Sequence, residues 1–419
     1  MKAIVLIARG LQAGVLGCYG NWWTITPTLD TLAAEGVVFD WHFADNADPA
    51  GARRAWRTGR YHFPPEGQAA HAETQADLLA VLRQQKIYTC LILDDSHPSS
   101  SAFAIGWNKV EHVSAAEGET PLDAVLEAVG AALERLEGQD DWLLWIELAT
   151  LLPPWNVPAE FQAAYFRKES DEEEPDEPEG SEEIEANESL TPLTAVPTGP
   201  IDPHDDSLYL SLQASYAAAV SYVDAGIGQL LQALGGLEGG EEILLIITTD
   251  TGQNLGEHGL VGAYRPWLHD ELIHLPLVLR LPGAAEAGRR VAALTQAVDL
   301  APTLADWFKT ALPDAHGHSL LPLVRGEVES IRPYACVGLQ IGEAVEYALR
   351  TPEWAFLLPL PSPTSSAPKE GEGEAGIERA PQLYVKPDDR WEVNNVLQHH
   401  LELAEQLERT LRDFVATPR

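Results

Sequence analysis

The chain has 419 residues with 64 Asp and Glu against 27 Lys and Arg, a formal net charge of -37. That length allows a large domain plus a smaller one. The charge excludes an electrostatically driven nucleic-acid partner, and 45% hydrophobic against 22% charged residues excludes a disordered or fibrous chain.

Met1-Lys2 leads directly into Ala3–Ala8, an apolar run too short for a signal-peptide core, and no run approaches the roughly 18 residues a bilayer requires. Cys18, Cys90 and Cys336 are far apart and lack metal-ligand or CxxC spacing. They fit free thiols in a reducing compartment, so the expectation is a cytoplasmic protein without a membrane.

In chain order, nearly continuous apolar runs at Ala3–Ala8, Ile87–Leu93, Trp142–Leu148, Ile243–Thr249 and Pro276–Leu281 predict strands covered on both faces. Helical patterns fall between them: Thr28–Glu35, opened by Thr26-Pro27 and closed by Gly36, then Glu73–Gln85, Pro121–Leu136 and a long stretch from Ser207 to Leu234. Alternation of this kind predicts an α/β fold with a mainly parallel central sheet and helices on both faces. From about Glu327 closely spaced short strands (Pro333–Val337, Ala344–Arg350, Ala355–Leu358, Gln382–Val385) precede a helix over Leu401–Val415. The expected division is therefore a domain over 1–326 and an α+β subdomain over 327–419. Two stretches read as loops: 167–206, which includes 12 acids and no base between 169 and 188, and Pro359–Ala380, rich in Pro, Ser, Gly and Glu. The acidic stretch reads as a solvated loop; as a docking element for a basic partner it would make the protein a scaffold.

Specific motifs run through this framework. Leu16-Gly17-Cys18-Tyr19-Gly20-Asn21 precedes Thr26-Pro27-Thr28-Leu29-Asp30 and Ala33-Ala34-Glu35-Gly36-Val37; later come Arg57-Thr58-Gly59-Arg60-Tyr61, Thr249–Leu260, Val298–Leu304, Gly317–Leu323 and Asp388–Leu397. In this order they resemble the sulfatase family of the alkaline phosphatase superfamily, from residue 3 to about 397. The resemblance implies that fold, and in active members a Cys or Ser in C/S-x-P-S-R, converted to formylglycine, as the nucleophile. Counting back from Thr58-Gly59-Arg60 puts the nucleophile position at Pro49, which has neither thiol nor hydroxyl. Only the motif arginine, Arg53, persists.

The family's divalent cation, usually calcium, is held by two Asp after the first strand and by an Asp plus His or Asn later on. Here the first pair becomes Arg9-Gly10 and the second Asp250-Thr251, so Asp250 is the only matching ligand. Ala263 stands where an active-site lysine is expected, and Leu152-Pro153 where the family has His-Pro. No cofactor is therefore expected. With the nucleophile and metal ligands of the resembled family replaced, the expectation is a catalytically inactive homologue that acts by binding a small anionic ligand or a protein partner, or as a structural subunit. The alternative is a hydrolase of sulfuric or phosphoric esters with a rearranged site around Asp250, Arg53 and His258.

Two readings of Arg9 are open. A salt bridge to Asp250 would replace the metal, a bidentate contact under about 3.2 Å being its mark. Otherwise Arg9, Arg53 and the helix N-terminus after Pro49 would form a metal-free anion pocket, with Arg9 turned toward Arg53. In the cluster Arg53, Arg54, Arg57, Arg60, helical spacing predicts Arg54 outward and Arg57 and Arg60 tied to acids. His258 is expected to be structural, near the site mouth. Asp94, Asp95 and His97 with His269 and Asp270 form a weaker candidate cluster, better read as turns and caps. The tryptophans, among them Trp142, Trp145, Trp307 and Trp354, read as core.

Overall fold

The computed structural model describes residues 1–63, 77–97, 102–166, 190–202, 204–262, 268–341, 344–360 and 380–417. The acidic run 169–188, Ala263 and nearly all of the 359–380 stretch lie outside the described residues.

The chain opens with β1 (Lys2–Ala8), α1 (Pro27–Glu35), β2 (Val37–Phe43), α2 (Pro49–Thr58), α3 (Leu78–Gln84), β3 (Tyr88–Asp94), β4 (Lys109–Val113), α4 (Pro121–Leu136) and β5 (Trp142–Leu148). It continues through α5 (Ala159–Gln162), β6 (Gly199–Pro200), α6 (Asp206–Gly235), β7 (Ile243–Thr248), β8 (Asn254–Leu255), β9 (Leu260–Gly262) and α7 (Asp270–Ile273). Next come β10 (Val278–Arg280), β11 (Arg289–Gln296), α8 (Leu300–Trp307) and α9 (Leu321–Val324). The last elements are β12 (Ala335–Ile341), β13 (Ala344–Arg350), β14 (Trp354–Leu360), β15 (Gln382–Val385) and α10 (Leu401–Ala416).

The central sheet has the order β11-β2-β10-β7-β1-β5-β3-β4, and every neighbouring pair is parallel except the two made by β10. β1 alternates its side chains between two cores: Ile4, Leu6 and Ala8 pack with α1, α4 and α6, while Ala3, Val5 and Ile7 pack with α2, α3 and α8. Both faces being covered is why these strands read as continuous apolar runs. A second, antiparallel sheet, β12-β13-β14-β15, carries α10 and forms the smaller C-terminal unit. This is the predicted fold class: a mainly parallel sheet between helices, with a smaller α+β part.

Three central-sheet strands are not anticipated by the apolar runs. β2 (VVFDWHF) and β11 (RRVAALTQ) carry polar residues, and β4 (KVEHV) is an edge strand with no buried residue. The start of α1 also differs from expectation. The Thr26 hydroxyl accepts from the Gly17 amide, whereas the first turn is capped by the buried Asp224 of α6, which accepts from the Thr28 and Leu29 amides at 3.0 and 2.8 Å. Not all tryptophans are core. Trp142 and Trp145 are buried, but Trp22 and Trp391 are 92% and 58% exposed.

The two sheets meet behind the carboxyl end of β2. The Gly338 amide donates to the Asp45 carbonyl at 3.0 Å, and the Gln296 side-chain amide donates to the Cys336 carbonyl at 2.8 Å. Charge adds to this: Arg350 and Lys386 reach Asp270 at 3.1 and 2.8 Å, and Glu392 at 3.0 and 3.1 Å.

Candidate active site

In an open α/β sheet the carboxyl ends of parallel strands converge on one edge, where backbone groups freed from the ladder can be used by a site. Here β1, β5 and β7 end side by side, and Ile7 is paired with Glu147 on one side and Thr248 on the other. Beyond β1 the Arg9 amide still donates to the Leu148 carbonyl at 2.9 Å, and the chain then turns at Gly10, whose φ is +82°. A Cβ at Gly10 would lie 2.6 Å from the Gln253 side-chain nitrogen and 2.9 Å from Leu152. The position is thus glycine both by conformation and by space. The Gly10 carbonyl accepts from Tyr216 Oη of α6 at 2.7 Å and from Gln253 Nε2 at 2.8 Å.

Four charged side chains converge beside this turn, all nearly inaccessible: Arg9 6%, Arg53 2%, Glu147 1% and Asp250 1% exposed. Asp250 Oδ2 accepts from Arg9 Nε and from Arg53 Nη1, each at 3.2 Å; its Oδ1 accepts from the Thr251 amide at 3.0 Å and the Gly10 amide at 3.3 Å. Arg53 turns the rest of its fork onto Glu147, with Nε–Oε1 at 3.1 Å and Nη2–Oε2 at 2.6 Å. Two guanidiniums therefore face two carboxylates, and the cluster is formally neutral. Burial pulls the Arg53 pKa down, but Glu147 and Asp250 more than offset it and the net shift is upward.

α2 delivers Arg53 and Pro49 together. Asp48 caps the helix by accepting from the Gly51 amide at 2.9 Å, and Pro49 occupies the first turn, where a missing N–H does no harm. The Pro49 carbonyl accepts from Arg53 Nη1 at 2.8 Å, the nitrogen that also reaches Asp250. Pro49, Arg53, Arg9 and Asp250 are thus brought together. Glu147 is the member that the sequence reading did not assign; the signal for it was one carboxylate inside an otherwise apolar strand.

The other sequence candidates contribute no side chain to this four-charge cluster. Thr251 enters through its backbone, its amide bound to Asp250 and its carbonyl accepting from the Thr249 hydroxyl at 2.9 Å. His258 stacks on His269 with ring centroids 3.6 Å apart and lies 3.4 Å from Glu271, and burial followed by the His269 charge lowers its pKa to about 4. His269 in turn contacts Glu392 at 2.6 Å. Arg54 is exposed and Arg57 pairs with Asp77, whereas Arg60 has no carboxylate within 4.0 Å among the described residues. Asp94 accepts the Ser96 and Ala149 amides, Asp95 pairs with His112 and His97 contacts the Pro153 carbonyl, so these are turn and cap groups with no contact to His269 or Asp270 among the described residues.

The sulfatase family model matches residues 3–310. The chain belongs to the sulfatase family. Human iduronate 2-sulfatase is 26% identical over 383 residues, covering 78% of this chain and 68% of that protein. N-acetylglucosamine-6-O-sulfatase of Bacteroides thetaiotaomicron is 34% identical over 120 residues, which is 28% of this chain and only 21% of the relative's length. Among solved structures, one in complex with its substrate D-glucosamine-2-N,6-O-disulfate superposes with a TM-score of 0.74 at 18% identity, covering 99% of this chain and 97% of the other. The phosphonate monoester hydrolase of Agrobacterium radiobacter gives 0.73 at 18% identity, covering 99% and 96%.

In this sulfatase-family chain the four positions corresponding to the family's metal ligands do not suit a calcium ion. A carboxylate offers about four acceptor directions, and Asp250 already uses four. The neighbouring position is a guanidinium, which repels a dication, and Gly10 and Thr251 contribute no carboxylate or imidazole. Binding a hard dication requires 6–8 oxygen donors, and this arrangement offers no free one on Asp250.

Proposed function

We propose that this sulfatase-family protein has lost the family's ester-hydrolysing chemistry and acts by binding a small anionic ligand or a protein partner. The observation that carries the reading is the saturation of Asp250 by two arginines and two backbone amides. In this reading Arg9 and Arg53 are internal counter-charges that stand in for the metal, with Glu147 and Asp250 as their anions. Pro49 supports it from the other side of the site, because a proline side chain offers no atom able to attack sulfur or phosphorus. The hydroxyl of Thr249, the residue before Asp250, is engaged with the Leu11 amide and the Thr251 carbonyl.

The free thiols agree with a reducing, cytoplasmic setting: Cys18 and Cys90 are raised to about 12 and about 11, mainly by burial, and are poor nucleophiles. No helix among the described residues is long and apolar enough to cross a membrane.

The test is turnover of 4-nitrophenyl sulfate and 4-nitrophenyl phosphate by the purified protein, with and without added calcium. The expected result is release at the buffer rate under both conditions. Turnover that disappears in Asp250→Ala would overturn the reading.

A further inference from the structure

A cavity of 280 Å³ lies apart from the four-charge cluster, between the turn carrying Gln12 and Tyr19, strands β2 and β11, helix α7 and the loop after β15. Its volume is at the small end for ligand sites, with room for roughly one substituted six-membered ring. Trp41 of β2 and Trp391 of the loop contribute aromatic wall. Trp41 is braced by stacking on His274, with centroids 5.5 Å apart. Trp391 stands over the turn at Gly14 and yet remains 58% exposed, a large apolar surface at the rim of a cavity in an otherwise highly charged protein.

The lining carries the bases Arg290, Lys386 and Arg390 and the acids Asp40, Asp270 and Glu271, but they are not all paired with one another. Arg290 is paired with Asp40, and Lys386 lies 2.8 Å from Asp270. Arg390 has no carboxylate within 4.0 Å among the described residues: its Nη2 donates to the Tyr19 carbonyl at 3.0 Å, and its guanidinium carbon lies 5.1 Å from the Trp391 ring centroid. The remaining acid in the lining, Glu271, has its pKa raised well above the usual carboxylate range by burial and by the neighbouring Glu257 and Glu392 carboxylates. Among the described residues Arg390 is thus a cation without a carboxylate neighbour, on an aromatic platform, in a chain whose net charge is -37.

We propose that this cavity binds a single-ring molecule bearing one anionic group, with the anion on Arg390 and the ring against Trp391 and Trp41. A planar guanidinium suits a carboxylate bidentately, and a tryptophan face suits either an aromatic ring or the C–H face of a sugar. The chemistry is thus that of a ring acid, whether sugar acid or aromatic acid. This goes beyond the loss-of-chemistry reading and does not depend on it, because metal-dependent turnover at Asp250 would leave this cavity's binding unaffected.

The test is calorimetric and saturation-transfer NMR titration of the full chain with glucuronate and with benzoate, against glucose and benzyl alcohol as uncharged counterparts. The expected result is that one acid binds, identifying the source, and that its uncharged counterpart binds at least roughly tenfold more weakly. Arg390→Gln should weaken that acid by at least roughly tenfold with an unchanged unfolding midpoint. If Arg390→Gln lowers the midpoint, Trp391→Ala, at an exposed position, must reduce the affinity instead. Failure of both acids to bind at about 10 mM, equal binding of the uncharged counterparts, or indifference of the affinity to both substitutions would overturn the proposal.

Discussion

Replacing Arg9 by methionine removes one cation from the buried cluster and leaves Glu147 and Asp250 sharing Arg53 alone. At the observed 3.2 Å between Arg9 Nε and Asp250 Oδ2, the gross attraction at an effective dielectric constant of about 20 is about 5 kcal/mol. Relief of the desolvation of Arg9 offsets part of it, and Asp250 keeps Arg53 and two amides, which puts the net cost near the lower end for a broken buried pair, about 3 kcal/mol. With roughly 2.1 cal/mol/K of unfolding entropy per residue, a chain of 419 residues should lose roughly 3 °C in its thermal midpoint. Differential scanning calorimetry of Arg9→Met, Asp250→Asn and the double variant reads this directly. The double variant should lose less than the sum of the singles by about 1–3 kcal/mol, because each single leaves its partner charge uncompensated. A midpoint for Arg9→Met within about 1 °C of the parent, or strict additivity, would refute the reasoning.

Further outcomes follow from other buried groups of the fold. Asp45 is fully buried, its carboxyl oxygens have no hydrogen-bond partner among the described residues, and burial raises its pKa to about 7 although nearby amides and Arg54 oppose the shift. The folded form therefore holds a proton that the unfolded chain releases near pH 4, and stability falls as pH rises from about 4 to 7. Asp45→Asn should be a few degrees more stable than the parent at about pH 8 and indistinguishable below about pH 4 in calorimetry. Glu392 behaves oppositely: burial alone would raise its pKa, but Arg350, His269 and Lys386 lower it well below the usual range. Glu392→Gln should cost about 3–5 kcal/mol near neutral pH, and the difference should shrink on acidification below about pH 4, as the unfolded carboxyl becomes protonated and then the folded one. Gly36→Ala would set a Cβ 2.5 Å from the Leu279 carbonyl of β10 and should lower the midpoint by an amount corresponding to about 1–3 kcal/mol.

The strands that the sequence makes plain are those covered on both faces: β1, β5 and β7 carry almost no polar residue, so burial is written into composition. β2 and β11 escape that rule because part of each borders solvent or the cavity, where Asp40, Trp41 and Arg290 are useful, and β4 escapes it as an edge. Motif order locates Pro49, Arg53 and Asp250, since each is a fixed step from a recognisable neighbour. It does not reveal Glu147, whose role depends on β5 lying beside β1 and on the direction in which α2 projects Arg53. The capping of α1 by Asp224 was hidden for the same reason, as the carboxylate comes from a helix about 200 positions away, a separation no local pattern encodes. Local rules find elements; charge complementarity between them is a property of the assembled sheet edge.

The central claim is that paired arginines and carboxylates occupy the place of the family's metal. Thermal unfolding in about 10 mM calcium chloride against sodium chloride of equal ionic strength tests it most directly. A ligand present at roughly 100 times its dissociation constant would add about 2.7 kcal/mol, and so raise the midpoint by roughly 3 °C. The account predicts the same midpoint in both salts; a saturable rise with calcium that vanishes in Asp250→Asn would contradict it.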